Sequence, residues 1–237
     1  QRVELQEFGL VGLEALVRWQ HPEHGLIFPN DFIALAEEND LIVSLGRWVI
    51  DAACRQIVAW RAADLPLVPV AINVSPKQLK DSALLETVVE TLARYQIEPA
   101  LLEIEITEGC FIEDFDTANK VLEQLRAYGL RIALDDYGTG FSGLKNLKKL
   151  PIYAIKIDRS FIRDIRNDNS DAVIVASTIS LAHNLGLQVV AEGVESKEQL
   201  VHLKTAGCDQ VQGFYFKRPV PATEIVEILR RGKFSPS

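Results

Sequence analysis

The sequence has no methionine, three cysteines and four histidines in 237 residues. Cys54, Cys110 and Cys208 are odd in number and far apart, which argues against a disulfide framework and fits a reducing compartment. His21 and His24 fall in a loop-like stretch, and His183 and His202 in helical ones, so all four read as surface or packing residues. Basic charge is also in deficit: 25 Lys and Arg face 33 Asp and Glu, for a net charge of -8. A binder of nucleic-acid polymers would usually carry a basic face, so that class is disfavoured. A small phosphate ligand held through metal ions is not. No apolar run is long enough to span a membrane, and the start does not resemble a signal peptide. The expectation is a domain in the cytoplasm, or facing it, cut from a longer protein.

What is present is ample core material, at 48% hydrophobic and 24% charged residues. Short β-like runs alternate with longer helical patterns. The β-like runs are Leu10 to Trp19, Val68 to Val74, Leu101 to Thr107, Arg131 to Tyr137, Ala154 to Ile157, Gln188 to Val194 and Gln210 to Phe216. Several show little alternation, as strands covered on both faces do. The helical stretches are Asn30 to Arg61, Ser82 to Tyr95, Thr117 to Tyr128, Asp171 to Leu185, Lys197 to Ala206 and Thr223 to Arg230. Asp116 or Thr117 can cap one helix, with Gly129 after its end; Ser196 can cap another, with Gly207 after it. Seven strands each lead into a helix, and Arg2 to Gln6 can supply a short eighth. This repetition without a linker predicts an α/β fold of the TIM type, a (β/α)8 barrel. Gly232 to Ser237 reads as a frayed end.

One stretch organises the rest. The apolar run Leu130 to Leu134 ends in Asp135-Asp136, and a glycine-rich loop, Gly138 to Gly143, follows. Adjacent carboxylates repel, and a cation would relieve them. In a barrel the C-terminal strand ends share one mouth. Read in order, those ends offer Glu14 and Arg18, Asn73, Glu103, Glu105 and Glu108, Asp135 and Asp136, Lys156 and Asp158, Glu192 and Glu195, and Gln212. Any one of them alone reads as a cap or a structural ion pair. So many buried acids without cations would strongly destabilise a barrel. Carboxylates and an amide, without His or Cys, favour Mg2+ or Mn2+ over Zn2+.

Seven motifs then carry a family resemblance: Glu14-Ala15-Leu16-Val17-Arg18-Trp19, Asn73-Val74-Ser75, Glu105-Ile106-Thr107-Glu108, Asp135 to Gly140, Lys156-Ile157-Asp158-Arg159, Ala191 to Glu195 and Gln212-Gly213-Phe214. They cover essentially the whole chain in order. The sequence resembles the EAL domains, bacterial phosphodiesterases that hydrolyse cyclic di-GMP to linear pGpG. The resemblance implies a modified barrel, with the first strand antiparallel to the others, and a two-metal site. Glu14, Asn73, Glu105 and Asp135 match the ligands of one metal. Asp135 would bridge to a second, joined by Asp136 and Glu192. Lys156 resembles the lysine that orients the attacking water. The resemblance leaves the general base open between metal-bound hydroxide, Lys156 and Glu192. Arg18 resembles a phosphate contact, Gln212 a residue near a guanine, and Glu108 the glutamate that holds the glycine loop. Asp158 and Glu195 match further acids of the site. Also implied are inhibition by Ca2+, a homodimer through the region after the loop, and sensory or cyclase domains in a parent chain.

The chain departs from the family in two places. Gln1-Arg2-Val3 stands near the usual Gln-Pro-hydrophobic motif, about one residue short and without the Pro, so the first strand is expected to be truncated. Ser142-Gly143 replaces the usual Ser-Ser. Two rival readings remain. Gly138 to Gly143 also fits G-x-G-x-x-G, with Asp158 at the spacing of a ribose-binding acid, although the acid pair before it would repel a pyrophosphate. The other rival is a catalytically silent EAL-type receptor or interaction module, which would typically lose a ligand; this chain keeps Glu14, Asn73, Glu105, Asp135, Asp136, Lys156 and Glu192.

Overall fold

The computed structural model describes residues 1–111, 114–138, 144–165 and 169–234. Thr139 to Gly143, with the Ser142-Gly143 departure, lie outside these residues. Ten strands are described: β1 (Arg2–Glu4), β2 (Leu10–Ala15), β3 (Trp19–His21), β4 (Gly25–Ile27), β5 (Val70–Asn73), β6 (Leu102–Thr107), β7 (Arg131–Tyr137), β8 (Ala154–Ile157), β9 (Gln188–Ala191) and β10 (Gln210–Gln212). Eight of them close a barrel in the order β1-β10-β9-β8-β7-β6-β5-β2. Neighbours pair in parallel except at β1, which is antiparallel to both β10 and β2. The barrel and its reversed first strand are therefore as the resemblance implies. A closed barrel also removes the open-sheet dinucleotide reading.

Around it lie α1 (Pro29–Glu38), α2 (Leu41–Ala62), α3 (Pro76–Leu79), α4 (Leu84–Tyr95), α5 (Phe115–Tyr128), α6 (Leu144–Leu147), α7 (Arg159–Arg163), α8 (Asn169–Asn184), α9 (Lys197–Thr205) and α10 (Ala222–Arg231). No helix among the described residues is long and apolar enough to cross a membrane. Helix and strand share one core. Ile50, Ile57, Val88, Leu92, Leu122 and Leu125 from α2, α4 and α5 meet Leu102, Ile104 and Ile106 of β6, all buried. The three cysteines are free and buried.

The structure corrects the sequence reading in several places. The run from Leu10 to Trp19 stops at Ala15, and Trp19 instead opens the β3-β4 hairpin. The single helix expected over Asn30 to Arg61 breaks at Asp40, whose φ of 55° is left-handed. Asp114 caps α5, accepting from the Thr117 N–H at 3.0 Å, so neither Asp116 nor Thr117 is the cap. Ser196 caps α9 as expected, and its own N–H donates back to the Gln199 side-chain oxygen at 3.0 Å. The strand expected to run to Phe216 ends at Gln212, where Tyr215 N–H turns back to the Val194 carbonyl. The described part of the tail is tied down: Lys233 bridges Gly9, and Phe234 N–H donates to the Phe8 carbonyl.

Candidate active site

The site is built around Lys156, a fully buried lysine on β8. Its Nζ lies 2.8 Å from Glu105 Oε2, 2.8 Å from Glu192 Oε1, 3.1 Å from Asp135 Oδ1 and 4.0 Å from Glu14 Oε2. Strands β2, β6 and β7, and the residue just after β9, thus aim a carboxylate at one ammonium. Burial alone would discourage the charge, but the four acids reverse that and raise the Lys156 pKa well above its ordinary value.

Consecutive residues of a regular strand face opposite sides, so Asp135-Asp136 need a local device to act together. The β7-β8 register supplies it. Leu134 pairs Ile155 and Tyr137 pairs Ile157, leaving Asp135 and Asp136 opposite Lys156 alone. Such a bulge re-aims side chains. Asp136 takes a φ of 52°, a left-handed conformation that a non-glycine residue adopts at a cost. The result is that one oxygen from each of Asp135, Asp136 and Glu192 lies within 4.8 Å of the other two.

Each acid has its own electrostatic state. Burial would raise Glu14, yet Lys156, Asn73 and Gln212 outweigh it and hold this carboxyl below its usual range. Asn73 Nδ2 donates to Glu14 Oε1 at 2.9 Å, and Gln212 Nε2 to Oε2 at 2.5 Å. Glu105 is pushed well up by burial and by Glu14 and Asp135, against Lys156. Burial, Asp135 and Glu14 push Glu192 up to about 7. Burial, Asp135 and Asp158 push Asp136 up to about 6. Apart from the Lys156 ammonium at 2.8 Å, neither oxygen of buried Glu105 has a donor among the described residues. Hard divalent cations fit this donor set, since they would supply the positive charge that one ammonium cannot.

These values set a pH dependence. In the metal-free protein Glu192 and Asp136 hold protons up to about pH 7 and 6, whereas unfolded carboxyls release theirs near 4. The native state then binds more protons than the unfolded one. This contribution to stability is full below the unfolded values and is lost as pH rises through 6 and 7. Melting in chelator is expected to give a higher midpoint at pH 6 than at pH 8, by on the order of a few degrees. A midpoint that rises with pH would contradict these shifts.

The remaining candidates sit at different distances from this cluster. Glu108 is buried just beyond β6, and its Oε1 accepts from the Gly138 N–H at 3.0 Å. Gly138 has φ 101°, and a Cβ there would lie 2.8 Å from the Phe161 ring, so glycine is required. Asp158 caps α7 by accepting from Ser160 N–H at 2.9 Å, and it borders Asp136. Arg18 places its guanidinium over the Phe28 ring at 5.0 Å, beside the mouth. Glu195 is exposed, outside the cluster. Glu103 does not reach the mouth. It is fully buried one layer deeper, where Arg2 and Tyr153 hold it. The sequence assigns Arg2 and Tyr153 no role; an arginine opening the short first strand, Arg2-Val3-Glu4, is the one available signal.

The comparisons agree with this geometry. The model of the EAL domain family matches residues 2–219. The bifunctional diguanylate cyclase/cyclic di-GMP phosphodiesterase MucR of Pseudomonas aeruginosa is 43% identical over 217 residues, 92% of this chain and 32% of its own length. The cyclic di-GMP phosphodiesterase PdeR of Escherichia coli is 44% identical over 219 residues, 92% of this chain and 33% of its own. The chain thus spans about a third of these curated relatives. Among solved structures, the PaMucR phosphodiesterase in complex with c-di-GMP superposes with a TM-score of 0.89 at 43% identity, covering 94% of this chain and 91% of that one. The EAL domain of Mycobacterium smegmatis DcpA gives 0.82 at 30% identity, covering 99% and 95%. A barrel closed by one reversed strand, an acid cluster around a buried lysine and a family match over residues 2–219 lead to one assignment: this chain belongs to the EAL domain family.

Proposed function

We propose that this chain is a phosphodiesterase that hydrolyses cyclic di-GMP to linear pGpG. The observation that carries the reading is the convergence of Glu14, Glu105, Asp135 and Glu192 on Lys156, with Asp136 adjoining and Asn73 and Gln212 on Glu14. A silent receptor has no use for a complete set of this kind.

Two cations, Mg2+ or Mn2+, would be held by Glu14, Asn73, Glu105 and Asp135 on one side and by Asp135, Asp136 and Glu192 on the other. Bound there, they would activate a water and neutralise charge on the phosphate oxygens. The chain's own residues do the rest. Lys156 holds the carboxylates at fixed spacing and presents an N–H donor beside Glu192. Glu192, whose Oε1 lies 2.8 Å from Lys156 Nζ, is the carboxylate placed to accept a proton at the site. Arg18 offers a planar fork to a phosphate at the mouth. Glu108 ties the start of the glycine loop to β6, and Asp158 and Glu195 border the substrate side. Water adds to one phosphorus, one P–O3′ ester breaks, and the 3′ oxygen leaves with a proton, giving pGpG.

The deciding experiment incubates the purified chain with cyclic di-GMP. With Mg2+ or Mn2+ the product is pGpG; with excess chelator or with Ca2+, whose larger and looser shell suits the site poorly, product formation stops. Binding of cyclic di-GMP without pGpG in every metal would establish the receptor instead. The proposal extends to context: residues 1–237 act as the hydrolase module of a longer signalling protein in the cytoplasm, alongside sensory or cyclase domains, and pair as homodimers through the region after the glycine loop.

A further inference from the structure

The interior of a barrel of this type is ordinarily packed with branched apolar side chains. Here one interior layer is ionic. Arg2 is 1% exposed and Glu103 is 0% exposed. The Arg2 guanidinium grips both Glu103 oxygens, Nη1 to Oε1 at 2.6 Å and Nη2 to Oε2 at 2.7 Å. The Tyr153 hydroxyl donates to Glu103 Oε2 at 2.7 Å and accepts from Arg2 Nη1 at 2.8 Å. Gly12 makes room for the fork, since a Cβ there would lie 2.7 Å from Arg2 Nη2.

Stability does not account for this layer. Desolvating two charges is expensive, and apolar residues of equal volume commonly serve as well or better. What an ionic layer adds is direction, because a bidentate fork fixes both partners' orientation where apolar packing would tolerate sliding. Its members lie directly beneath the site. Glu103 is two residues before Glu105 on β6. Tyr153 lies immediately before β8, three residues ahead of Lys156. Arg2 registers with Gly12, two residues before Glu14 on β2.

We propose that Arg2, Glu103 and Tyr153 are positioning residues that lock β1, β6 and β8 together and so set the spacing of Glu14, Glu105 and Lys156 for divalent cations. The inference rests on the metal reading above. It assigns the network to ligand geometry and not to holding the fold together.

The test titrates Mn2+ by electron paramagnetic resonance into wild type, Arg2→Met/Glu103→Leu, Arg2→Lys and Tyr153→Phe, with thermal melts of each. The double variant replaces the ionic layer by an apolar one, and is expected to melt at or above the wild-type midpoint. Its Mn2+ dissociation constant is expected to rise about tenfold, the scale on which supporting residues act at metal sites. The Mn2+ concentration for half-maximal hydrolysis should rise with it, while kcat at saturating metal falls less. Arg2→Lys, which keeps the charge but loses the fork, should fall between. Wild-type Mn2+ affinity in a folded double variant would overturn the proposal. If that variant does not fold, Tyr153→Phe decides: affinity weakened about threefold supports the network, and unchanged affinity overturns it. Failure of wild type itself to bind Mn2+ would overturn the metal reading, and this proposal with it.

Discussion

Glu14→Ala is expected to abolish conversion of cyclic di-GMP to pGpG while leaving the fold intact. Glu14 stands at the end of β2, held by Asn73 Nδ2 and Gln212 Nε2 and 4.0 Å from Lys156 Nζ. Those amides and Lys156 keep it ionised, so it is a ready anionic ligand at neutral pH. Residues that merely support a metal ligand account for about 10–100-fold, so loss of a ligand itself should exceed about 100-fold in turnover. The fold should survive because Asn73 lies at the exposed mouth, where water replaces the lost acceptor, and Lys156 keeps three closer carboxylates. Product formation by chromatography and a thermal melt separate the two effects. Turnover within a few-fold of wild type would show that Glu14 holds no metal.

Lys156→Met should show its largest effect in a different observable. The lysine is the counter-charge to Glu105, Asp135 and Glu192, and it is fully buried. Removing one side of a buried charge cluster costs about 3–5 kcal/mol, because the partners remain desolvated and repel. At about 2–4 °C per kcal/mol for a domain of this size, the metal-free midpoint should fall by about 10 °C. Mn2+ at about 100 times its dissociation constant restores about 2.7 kcal/mol, since cations take the place of the lost ammonium. Hydrolysis should remain lost even in the metal-stabilised protein. A metal-free midpoint equal to wild type would mean that the acids are already neutralised by protons, and that Lys156 is not what holds them.

Most of the barrel was readable because its strands are apolar runs of the right length separated by capped helices. β6 shows why the site was readable too. Glu103 and Glu105 alternate with Leu102, Ile104 and Ile106, a pattern that on an open sheet would mean one wet face. All five residues are buried, because the polar face here is the barrel interior. The pattern says which residues share a face but not how deep each lies, so the letters place Glu103 with the mouth although it belongs to the layer beneath. The β7 bulge left no trace in the letters Asp135-Asp136, since a register is a relation between two strands. Likewise the break between α1 and α2 shows in the letters only as the polar run Glu37 to Asp40, which a solvent-facing helical turn would also give. Only the left-handed backbone of Asp40 ends α1, and asparagine and aspartate tolerate that conformation without announcing it.

The reversed strand bears on the order in which this protein can fold. β1 pairs with β10, so Arg2 must wait for Gln212, and Glu14 for the same residue. Nearly the whole chain must be available before the ring can shut. Contacts of such long sequence separation are slow to form, because the entropy of a very long loop is spent before they repay it. During synthesis from the N-terminus, β1 and β2 therefore emerge with one edge unpaired and keep it until the last strand appears. An incomplete chain carries Glu14 but cannot set it against Gln212. Activity should consequently appear only after residue 212 has cleared the ribosome, as a single late event.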